Sequence, residues 1–259
     1  MELRETFDTA ALAFERFRPG HAPEAFDALA TLTGISPPAQ VLEIGCGPGQ
    51  ATIPLLEHGY PVHAVEVAPN LAARARARTT SFQNFQVEVG TFEALTLEDA
   101  SVEMVFSASA FHALDRTVAY PKAHRVLKPG GALALMWSSL SWGEDVKARD
   151  VLFGPAYSQW APELEREREH LHQEVDGIAK ELQTSPLFQG FIEQRFSRQL
   201  RYDPQGYVNL LGTYSSHIAL DPFKRERLFD SIREIIDRAS AGKFDLTLVT
   251  RLMVAKPRR

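Results

Sequence analysis

The stretch Val41-Leu42-Glu43-Ile44-Gly45-Cys46-Gly47-Pro48-Gly49-Gln50 decides the fold. A short apolar run that contains one acid is followed by three glycines at alternate positions and then by a helix-like pattern. This order predicts a buried strand that turns sharply into a helix, with backbone so close to a ligand that a Cβ would clash. A second apolar run ends at Glu66, 66 − 45 = 21 residues beyond the first glycine. That spacing is typical of a nucleoside-binding strand-helix-strand unit, in which the second acid accepts the ribose hydroxyls.

The glycine spacing and Glu43 together indicate which nucleoside is bound. Dinucleotides use Gly-x-Gly-x-x-Gly with a pyrophosphate on the helix N-terminus, whereas this chain has Gly-x-Gly-x-Gly. A carboxylate at Glu43, two residues before the first glycine, would repel a pyrophosphate and attract a cation. S-adenosylmethionine carries an α-ammonium and a sulfonium and no phosphate. The two acids therefore favour S-adenosylmethionine, with S-adenosylhomocysteine as its product.

Three further segments extend this pattern along the chain. The apolar run at Val87 to Val89 continues into Gly90-Thr91-Phe92-Glu93, and Ser101 to His112 reads as another strand with its exit. Arg125-Val126-Leu127-Lys128-Pro129-Gly130-Gly131 then precedes the apolar run from Ala132 to Trp137. In this order the segments resemble the class I S-adenosylmethionine-dependent methyltransferases. Many members of that family have an aspartate where Thr91 stands, which leaves Phe92 as the backbone and stacking partner of the adenine.

The resemblance implies both a fold and a set of cofactor-binding residues. The fold is α/β, a doubly wound Rossmann-like sheet of seven strands, mostly parallel with the last strand antiparallel, with an N-terminal helical cover and helical C-terminal insertions. The implied cofactor-binding residues are Arg18, Glu43, Gly45, Cys46, Gly47, Gly49, Glu66, Val67, Thr91, Phe92 and Ala108. Arg18 would pair with the methionine carboxylate, although a solvated surface arginine is an equal alternative. Cys46 is interpreted as a small residue beside the cofactor, because no activating base or cation is near it in sequence.

The composition sets bounds on the partners of the chain. With 259 residues and 44% hydrophobic residues, the chain is long enough to bury a full core. The formal net charge of −5 argues against a nucleic-acid partner, which usually demands a basic face. The sequence shows no signal peptide and no apolar run of 18 residues, and its single cysteine suits a reducing compartment. We therefore expect a cytoplasmic protein without a membrane or metal partner, either a monomer or a homodimer.

A single methyltransferase domain in three segments is predicted. Residues 1–36 form a helical cover with two helices broken between Arg18 and Pro23, and residues 37–137 form the cofactor-binding core. Residues 138–259 supply lid insertions and the last two strands. In this third segment we expect a loop from 138 to 154, a helix from 163 to 183, a strand from 188 to 202, two helices between 204 and 239 that separate near Leu220-Asp221-Pro222, and a strand from 244 to 256. The lid would come from the cover and from residues 138–162 and 204–220.

Candidate acceptor-binding and catalytic residues follow from the position of the crevice. Ligands of open parallel sheets bind beyond the carboxyl ends of the strands, where the strand order reverses. His112, just after the fourth strand, is a candidate general base, and an equally good interpretation is that it orients the loop there. A base is needed only if the acceptor must lose a proton, and a carboxylate acceptor needs none. Trp142, Trp160 and Tyr214 are candidate walls of the acceptor pocket.

The acceptor is the least specified feature. Arg18-Pro19-Gly20, Gly90 to Glu93, Ser109 to His112 and the long C-terminal part are similar to the trans-aconitate-type branch of small-molecule methyltransferases. Several members of that branch have tryptophan after the histidine, where this chain has Ala113. A small organic acceptor is therefore expected, with carboxylic acids first and with Arg18, Arg149 or Arg201 as possible clamps. An RNA or protein methyltransferase and a non-catalytic S-adenosylmethionine-binding protein are the alternatives.

Overall fold

The structure is a computed structural model that describes residues 11–141, 146–240 and 244–258. Its helices are α1 (Ala11–Phe17), α2 (Pro23–Asp27), α3 (Leu29–Thr33), α4 (Thr52–Glu57), α5 (Pro69–Arg78), α6 (Arg116–Val126), α7 (Val146–Trp160), α8 (Leu164–Gln183), α9 (Pro204–Leu211), α10 (Ser215–Ile218) and α11 (Pro222–Ser240). Its strands are β1 (Val41–Ile44), β2 (Val62–Glu66), β3 (Phe85–Val89), β4 (Val102–Ala108), β5 (Leu127–Ser141), β6 (Phe188–Tyr202) and β7 (Phe244–Pro257). Among the described residues, no helix is both long enough and apolar enough to cross a membrane.

The seven strands form one sheet in the order β3-β2-β1-β4-β5-β7-β6. Strand β1 pairs in parallel with both β2 and β4, so that Val41 lies opposite Val62 on one side and Met104 on the other. Strand β7 lies between β5 and β6 and runs antiparallel. The predicted fold class is thereby confirmed. Because the strand order reverses between β1 and β4, a ligand crevice is expected at their carboxyl ends.

Strand β5 begins earlier than the sequence indicates. The Pro-Gly-Gly segment was expected as a turn before the strand, but Leu127 already pairs with Val102. The register then jumps, so that Ala132 pairs with Met104 and the residues in between form a bulge. A Cβ on Gly131 would lie 2.7 Å from the Glu103 carbonyl oxygen, and this close approach requires glycine. The Pro-Gly-Gly segment is therefore a bulge inside the strand.

The contacts of the chain divide it into two compact units. The first contains the described parts of residues 1–19, 139–174 and 197–249, and the second contains residues 20–138, 175–196 and the described residues from 250 onward. In the second unit, apolar side chains pack on both faces of the sheet, and β1 is buried throughout. In the first unit, α7, α9 and α11 enclose a separate apolar core. The predicted single domain with segments 1–36, 37–137 and 138–259 stays a prediction.

The C-terminal part contains more helix than the sequence predicts. The loop expected from 138 to 154 is wrong, because β5 continues to Ser141 and α7 begins at Val146. Phe153, Ala156 and Tyr157 are buried at helical spacing, which explains the helix despite the internal Pro155. Three helices instead of two lie between 204 and 240, with the expected break before Pro222. Helix α8 and strands β6 and β7 lie where they were predicted.

Candidate functional site

Three glycines with left-handed backbone connect β1 to α4. Their φ angles are 70° at Gly45, 56° at Gly47 and 88° at Gly49, a region that residues with a Cβ rarely adopt. Gly45 has a second constraint, since a Cβ there would lie 2.4 Å from the Cβ of Ala110. Gly47, in contrast, has nothing within 4 Å of that position. The turn thus packs against the exit of β4 at its first glycine and leaves open space at its second.

Glu43 lies on β1 directly beneath this turn and is completely buried. Its Oε2 accepts a hydrogen bond of 2.6 Å from the hydroxyl of Thr52, at the start of α4. Among the described residues, no hydrogen-bond donor reaches its other oxygen, Oε1. Burial, with a smaller contribution from the nearby Glu66 carboxylate, raises the pKa of Glu43 to about 8, and the Thr52 hydrogen bond opposes this shift. A buried carboxyl with one unsatisfied oxygen is the kind of group that a cationic ligand would stabilise.

Glu66 closes the turn from the end of β2. Its Oε2 accepts from the backbone N–H of Gly47 at 2.8 Å, and its Oε1 accepts from the N–H of Ala68 at 2.9 Å. These bonds join the carboxyl ends of β1 and β2 through one side chain that is only 5% exposed. The predicted ribose-binding acid therefore lies at the glycine turn, and Val67, half-buried, follows it directly. Whether Glu66 and Val67 bind a ribose stays a prediction.

Cys46, inside the turn, is a buried thiol. Its Sγ donates to the Gly47 carbonyl at 3.5 Å, and the residue is 4% exposed. Burial, followed by the negative potential of Glu43 and Glu66, raises the pKa of this thiol well above its ordinary value. Because the thiolate is the nucleophilic form, this environment suits a small packing residue.

The segment after β3 is tied to the same region. The N–H of Gly90 donates to the Glu66 carbonyl at 2.9 Å, and Thr91 follows, half-buried, with its hydroxyl accepting from the N–H of Ala94 at 3.2 Å. The ring of Phe92 is only 1% exposed and packs in the core, with the Lys122 ammonium 5.1 Å from its centre. Adenine stacking on that ring, as expected from the resemblance, does not agree with this burial. A contact between adenine and the backbone of Phe92 stays a prediction.

A groove of about 330 Å³ opens beside this segment. It is lined by Val65, Glu88, Val89, Gly90, Thr91, Ala94, Leu95 and Thr96. Lys122, on α6, holds the backbone beside the groove by donating to the carbonyls of Phe92, Glu93 and Leu95. The groove therefore adjoins Thr91, the position at which the sequence predicts adenine.

The exit of β4 brings His112 to the carboxyl edge of the sheet. Ala108 is half-buried at the end of the strand, Ser109 has a left-handed φ of 55°, and Ala110 contacts the glycine turn. His112 lies in the short 3₁₀ helix that follows, and its Nδ1 accepts a hydrogen bond of 3.3 Å from the indole N–H of Trp137. Trp137 thus holds the imidazole, and whether His112 acts as a general base or orients the loop stays a prediction.

Four other predicted site residues are Arg18, Trp142, Trp160 and Tyr214, of which the structure describes three. Arg18 lies in the first unit, where its Nε donates to the Thr213 hydroxyl at 2.8 Å and its guanidinium stacks 4.2 Å from the ring centre of Tyr214. Trp160, also in the first unit, is half-buried and meets Phe223 edge-on at 6.4 Å. Trp142 lies outside the described residues. The roles predicted for Arg18, Trp142, Trp160 and Tyr214 stay predictions.

Of the arginines considered as carboxylate clamps, Arg201 is already paired. Its Nε and Nη2 donate to the two carboxylate oxygens of Asp245 at 2.7 and 2.8 Å, on the exposed surface. This bidentate pair makes Arg201 a poor clamp for an acceptor, and that expectation is corrected. The side chain of Arg149 lies outside the described residues.

Sequence reasoning missed four residues that shape the site. Thr52 donates a hydrogen bond to Glu43, and Trp137 donates one to His112. Ala110 leaves no room for a Cβ at position 45, and Lys122 donates to the backbone of the segment after β3. A capping-type threonine after the glycine turn was the one visible signal, for Thr52. The other three contacts join residues 25 to 65 positions apart, which no local pattern reports.

Within the described ranges, no group of three or more His, Cys, Asp or Glu side chains could hold a metal ion.

Comparisons with known proteins show what this core is similar to. Residues 42–135 match the family model of a methyltransferase domain. The chain is 29% identical to an uncharacterized methyltransferase of Mycobacterium tuberculosis over 231 residues, 89% of this chain and 85% of that protein. It is 36% identical to the malonyl-[acyl-carrier protein] O-methyltransferase of Methylococcus capsulatus over 104 residues, 38% of this chain and 37% of that protein.

A solved structure supports the same fold. A protein from Anaeromyxobacter dehalogenans that is assigned as a type II methyltransferase superposes with a TM-score of 0.63. The superposition covers 92% of this chain and 97% of that one, at 22% sequence identity. The matched domain, residues 42–135, spans the glycine turn, Glu66 and His112, whereas Arg18, Trp137, Trp160 and Tyr214 lie outside it.

Proposed function

We propose that this chain, a class I S-adenosylmethionine-dependent methyltransferase, transfers the methyl group of its cofactor to a small organic acceptor. Enzyme class and methyl donor rest on the matched domain and its methyltransferase relatives. The acceptor, its chemical class and the residues that bind it are the proposed part. The single observation that carries the small acceptor is the net charge of −5, which does not suit a polyanionic substrate. The buried acid pair Glu43 and Glu66 around the glycine turn supports the methyl donor.

The buried carboxyl of Glu43 supports S-adenosylmethionine as the ligand of the glycine turn. Oε1 of Glu43 is buried without a hydrogen-bond donor among the described residues, and a cationic ligand is what would stabilise it in the ionised form. Glycines at positions 45, 47 and 49 keep the nearby backbone free of Cβ atoms. Glu43, Gly45, Gly47 and Glu66 would therefore hold the cofactor, with Thr91 and the Phe92 backbone near its adenine. When bound, S-adenosylmethionine supplies an electrophilic methyl group and a neutral thioether leaving group.

The work left to the protein is alignment and exclusion of water. Methyl transfer is an in-line displacement, so the rate depends chiefly on how well acceptor and methyl group are held in position. Ala110 packs against Gly45, and this contact fixes the exit of β4 over the glycine turn. Phe111 is fully buried and anchors the same segment from beneath. Residues 108–112 would thereby present one rigid edge to an acceptor beside the cofactor.

A small acceptor is favoured by charge and by one relative. The net charge of −5 and the pI near 5.9 do not suit an RNA substrate, whose backbone requires a basic surface. The malonyl-[acyl-carrier protein] O-methyltransferase relative supports transfer to oxygen. Together with the resemblance to the trans-aconitate-type branch, this makes carboxylic acids the leading acceptor class. A cytoplasmic location, as a monomer or a homodimer, belongs to the same proposal.

Fractionation of a labelled extract tests this proposal. The chain is incubated with methyl-labelled S-adenosylmethionine and a cell extract, and the label is counted in low-mass, RNA and protein fractions. We expect the label in the low-mass fraction, and Glu66→Ala, which weakens cofactor binding, provides the matched control. Label in RNA or protein would overturn the acceptor proposal. Cofactor binding with no transferred label would instead support the non-catalytic alternative.

A further inference from the structure

Strand β6 forms one edge of the sheet. It stands last in the order β3-β2-β1-β4-β5-β7-β6, so among the described strands it has β7 as its one neighbour. The strand is long, with 15 residues from Phe188 to Tyr202, and it contains no proline. Backbone N–H and C=O groups along such an edge are a template for pairing with another chain. The outer edge of β6 is therefore a candidate surface for strand addition.

The part of β6 that lies in the second unit presents an exposed surface of mixed character. Ile192 is 44% exposed, although it is a large apolar side chain. Gln194 and Phe196 share its face of the strand, the first exposed and the second half-buried. Glu193 and Arg195 lie on the opposite face, where Nε of Arg195 donates to Glu193 at 2.8 Å. The side chain of Arg195 is still 62% exposed and is open to a partner.

The order of these five residues is complementary to itself in one register. When two copies pair antiparallel about a two-fold axis, residue i faces residue j of the partner and j faces i, so one residue of each copy faces itself. A centre at Glu193 or at Arg195 would place like charges opposite each other, which is destabilising. A centre at Gln194 places Glu193 opposite the partner's Arg195, twice. It also places Ile192 opposite the partner's Phe196, twice.

We propose that the chain forms a homodimer in which β6 pairs antiparallel with β6 of a second copy, centred on Gln194. The partner completes the backbone hydrogen bonds of the edge, so that the sheet continues across the two-fold axis. Each Arg195 then lies between its own Glu193 and the partner's Glu193, and each exposed Ile192 is covered by the partner's Phe196. This inference concerns the surface of the chain and does not depend on the proposed acceptor.

Cysteine cross-linking tests the register of the pair. Residues that face each other in an antiparallel pair have the Cα separation that a disulfide needs, about 4.4–6.8 Å. Gln194→Cys would face itself across the axis, whereas Gln189→Cys, exposed on the same strand, would not and is the matched control. The native Cys46 is only 4% exposed and should not react.

Both cysteine variants of the full chain are oxidised mildly at micromolar concentration. We expect Gln194→Cys to form a disulfide-linked dimer at least about tenfold faster than Gln189→Cys. Equal rates in the two variants, or no cross-linked dimer from Gln194→Cys, would overturn the proposed register.

Sedimentation velocity tests the dimer itself. The wild type should sediment as a dimer at micromolar concentration, and circular dichroism checks that each variant is folded. Arg195→Glu places two carboxylates opposite each other, and Ile192→Lys places a charge against an aromatic ring. We expect a dissociation constant at least about tenfold higher in each variant. Lys224→Glu, which makes the same charge change as Arg195→Glu at an exposed position of α11, should dimerise like the wild type.

A monomeric wild type, or Arg195→Glu and Ile192→Lys variants that dimerise like the wild type, would overturn the inference. Neither assay contains a cofactor or an acceptor. Failure of the dimer is therefore distinguishable from failure of the proposed function, which the labelled extract tests separately.

Discussion

Replacing Glu43 by glutamine should stabilise the ligand-free protein at alkaline pH while weakening its cofactor binding. In the folded chain the pKa of Glu43 is raised from 4.5 to about 8, so folding favours the protonated form. Stability is therefore lost as the pH rises from 4.5 through about 8. The penalty of the ionised group grows from about 2 kcal/mol at pH 6 to about 5 kcal/mol at pH 9, a loss of about 2–3 kcal/mol across that range. Glutamine does not ionise, and its amide oxygen can still accept from Thr52.

Urea unfolding followed by circular dichroism measures this effect. The free energy of unfolding is compared at pH 6 and pH 9 for the wild type and for Glu43→Gln. Glu98→Gln, at an exposed position, is the control that should keep the wild-type slope. An equal pH slope in wild type and Glu43→Gln would refute the reasoning about the buried carboxyl.

Calorimetry of cofactor binding examines the other half of the same prediction. A cation that pairs with Glu43 must displace its proton, so wild-type binding should release protons below pH 8 and weaken as the pH falls. Glu43→Gln should bind S-adenosylmethionine about 1–3 kcal/mol more weakly, because the charge-assisted contact is lost. Wild-type binding without proton release at pH 7 would contradict a direct role of Glu43.

Three further predictions concern the same turn. Gly45→Ala should destabilise the chain more than Gly47→Ala, because both have a left-handed φ (a strain of about 1–3 kcal/mol) but only the first meets Ala110 at 2.4 Å; equal losses in urea unfolding would be inconsistent with that contact. Glu66→Ala should weaken S-adenosylmethionine binding by about 1–3 kcal/mol in calorimetry, since the carboxylate that organises Gly47 is gone; an unchanged affinity would remove Glu66 from the cofactor site. The native Cys46 thiol, whose pKa burial raises, should react with a disulfide reagent only after unfolding, and Cys46→Ala should retain activity; fast labelling of the native chain would contradict its burial.

The sheet could be predicted because its signals are local. Each parallel strand of the core is a short apolar run. The glycines after Ile44 indicate a turn at which the backbone packs too closely for a Cβ. The acids Glu43 and Glu66 could be placed at strand ends by counting. The bulge at Pro129 to Gly131 could not, because its register depends on pairing with β4 and not on the local sequence.

The predictions that were wrong or missing concern features that depend on tertiary contacts. The mixed polarity of residues 138–154 suggested a loop, but in helix α7 Phe153 and Tyr157 bury their rings and override the local preference. The ionisation of Glu43 was also invisible, since a sequence shows an acid but not its complete burial or the proximity of Glu66. Likewise, the hydrogen bond from Trp137 joins β5 to His112 in the segment that follows β4, and no local sequence pattern indicates it.

Single-turnover transfer tests the central claim most directly. The purified chain, in excess over methyl-labelled S-adenosylmethionine, is mixed with the low-mass fraction of a cell extract and quenched at intervals. We predict that S-adenosylhomocysteine and a labelled small molecule form in equal amounts, and that the label leaves as methanol in mild base. Labelled cofactor that stays bound and unreacted, or label recovered only in macromolecules, would contradict the account.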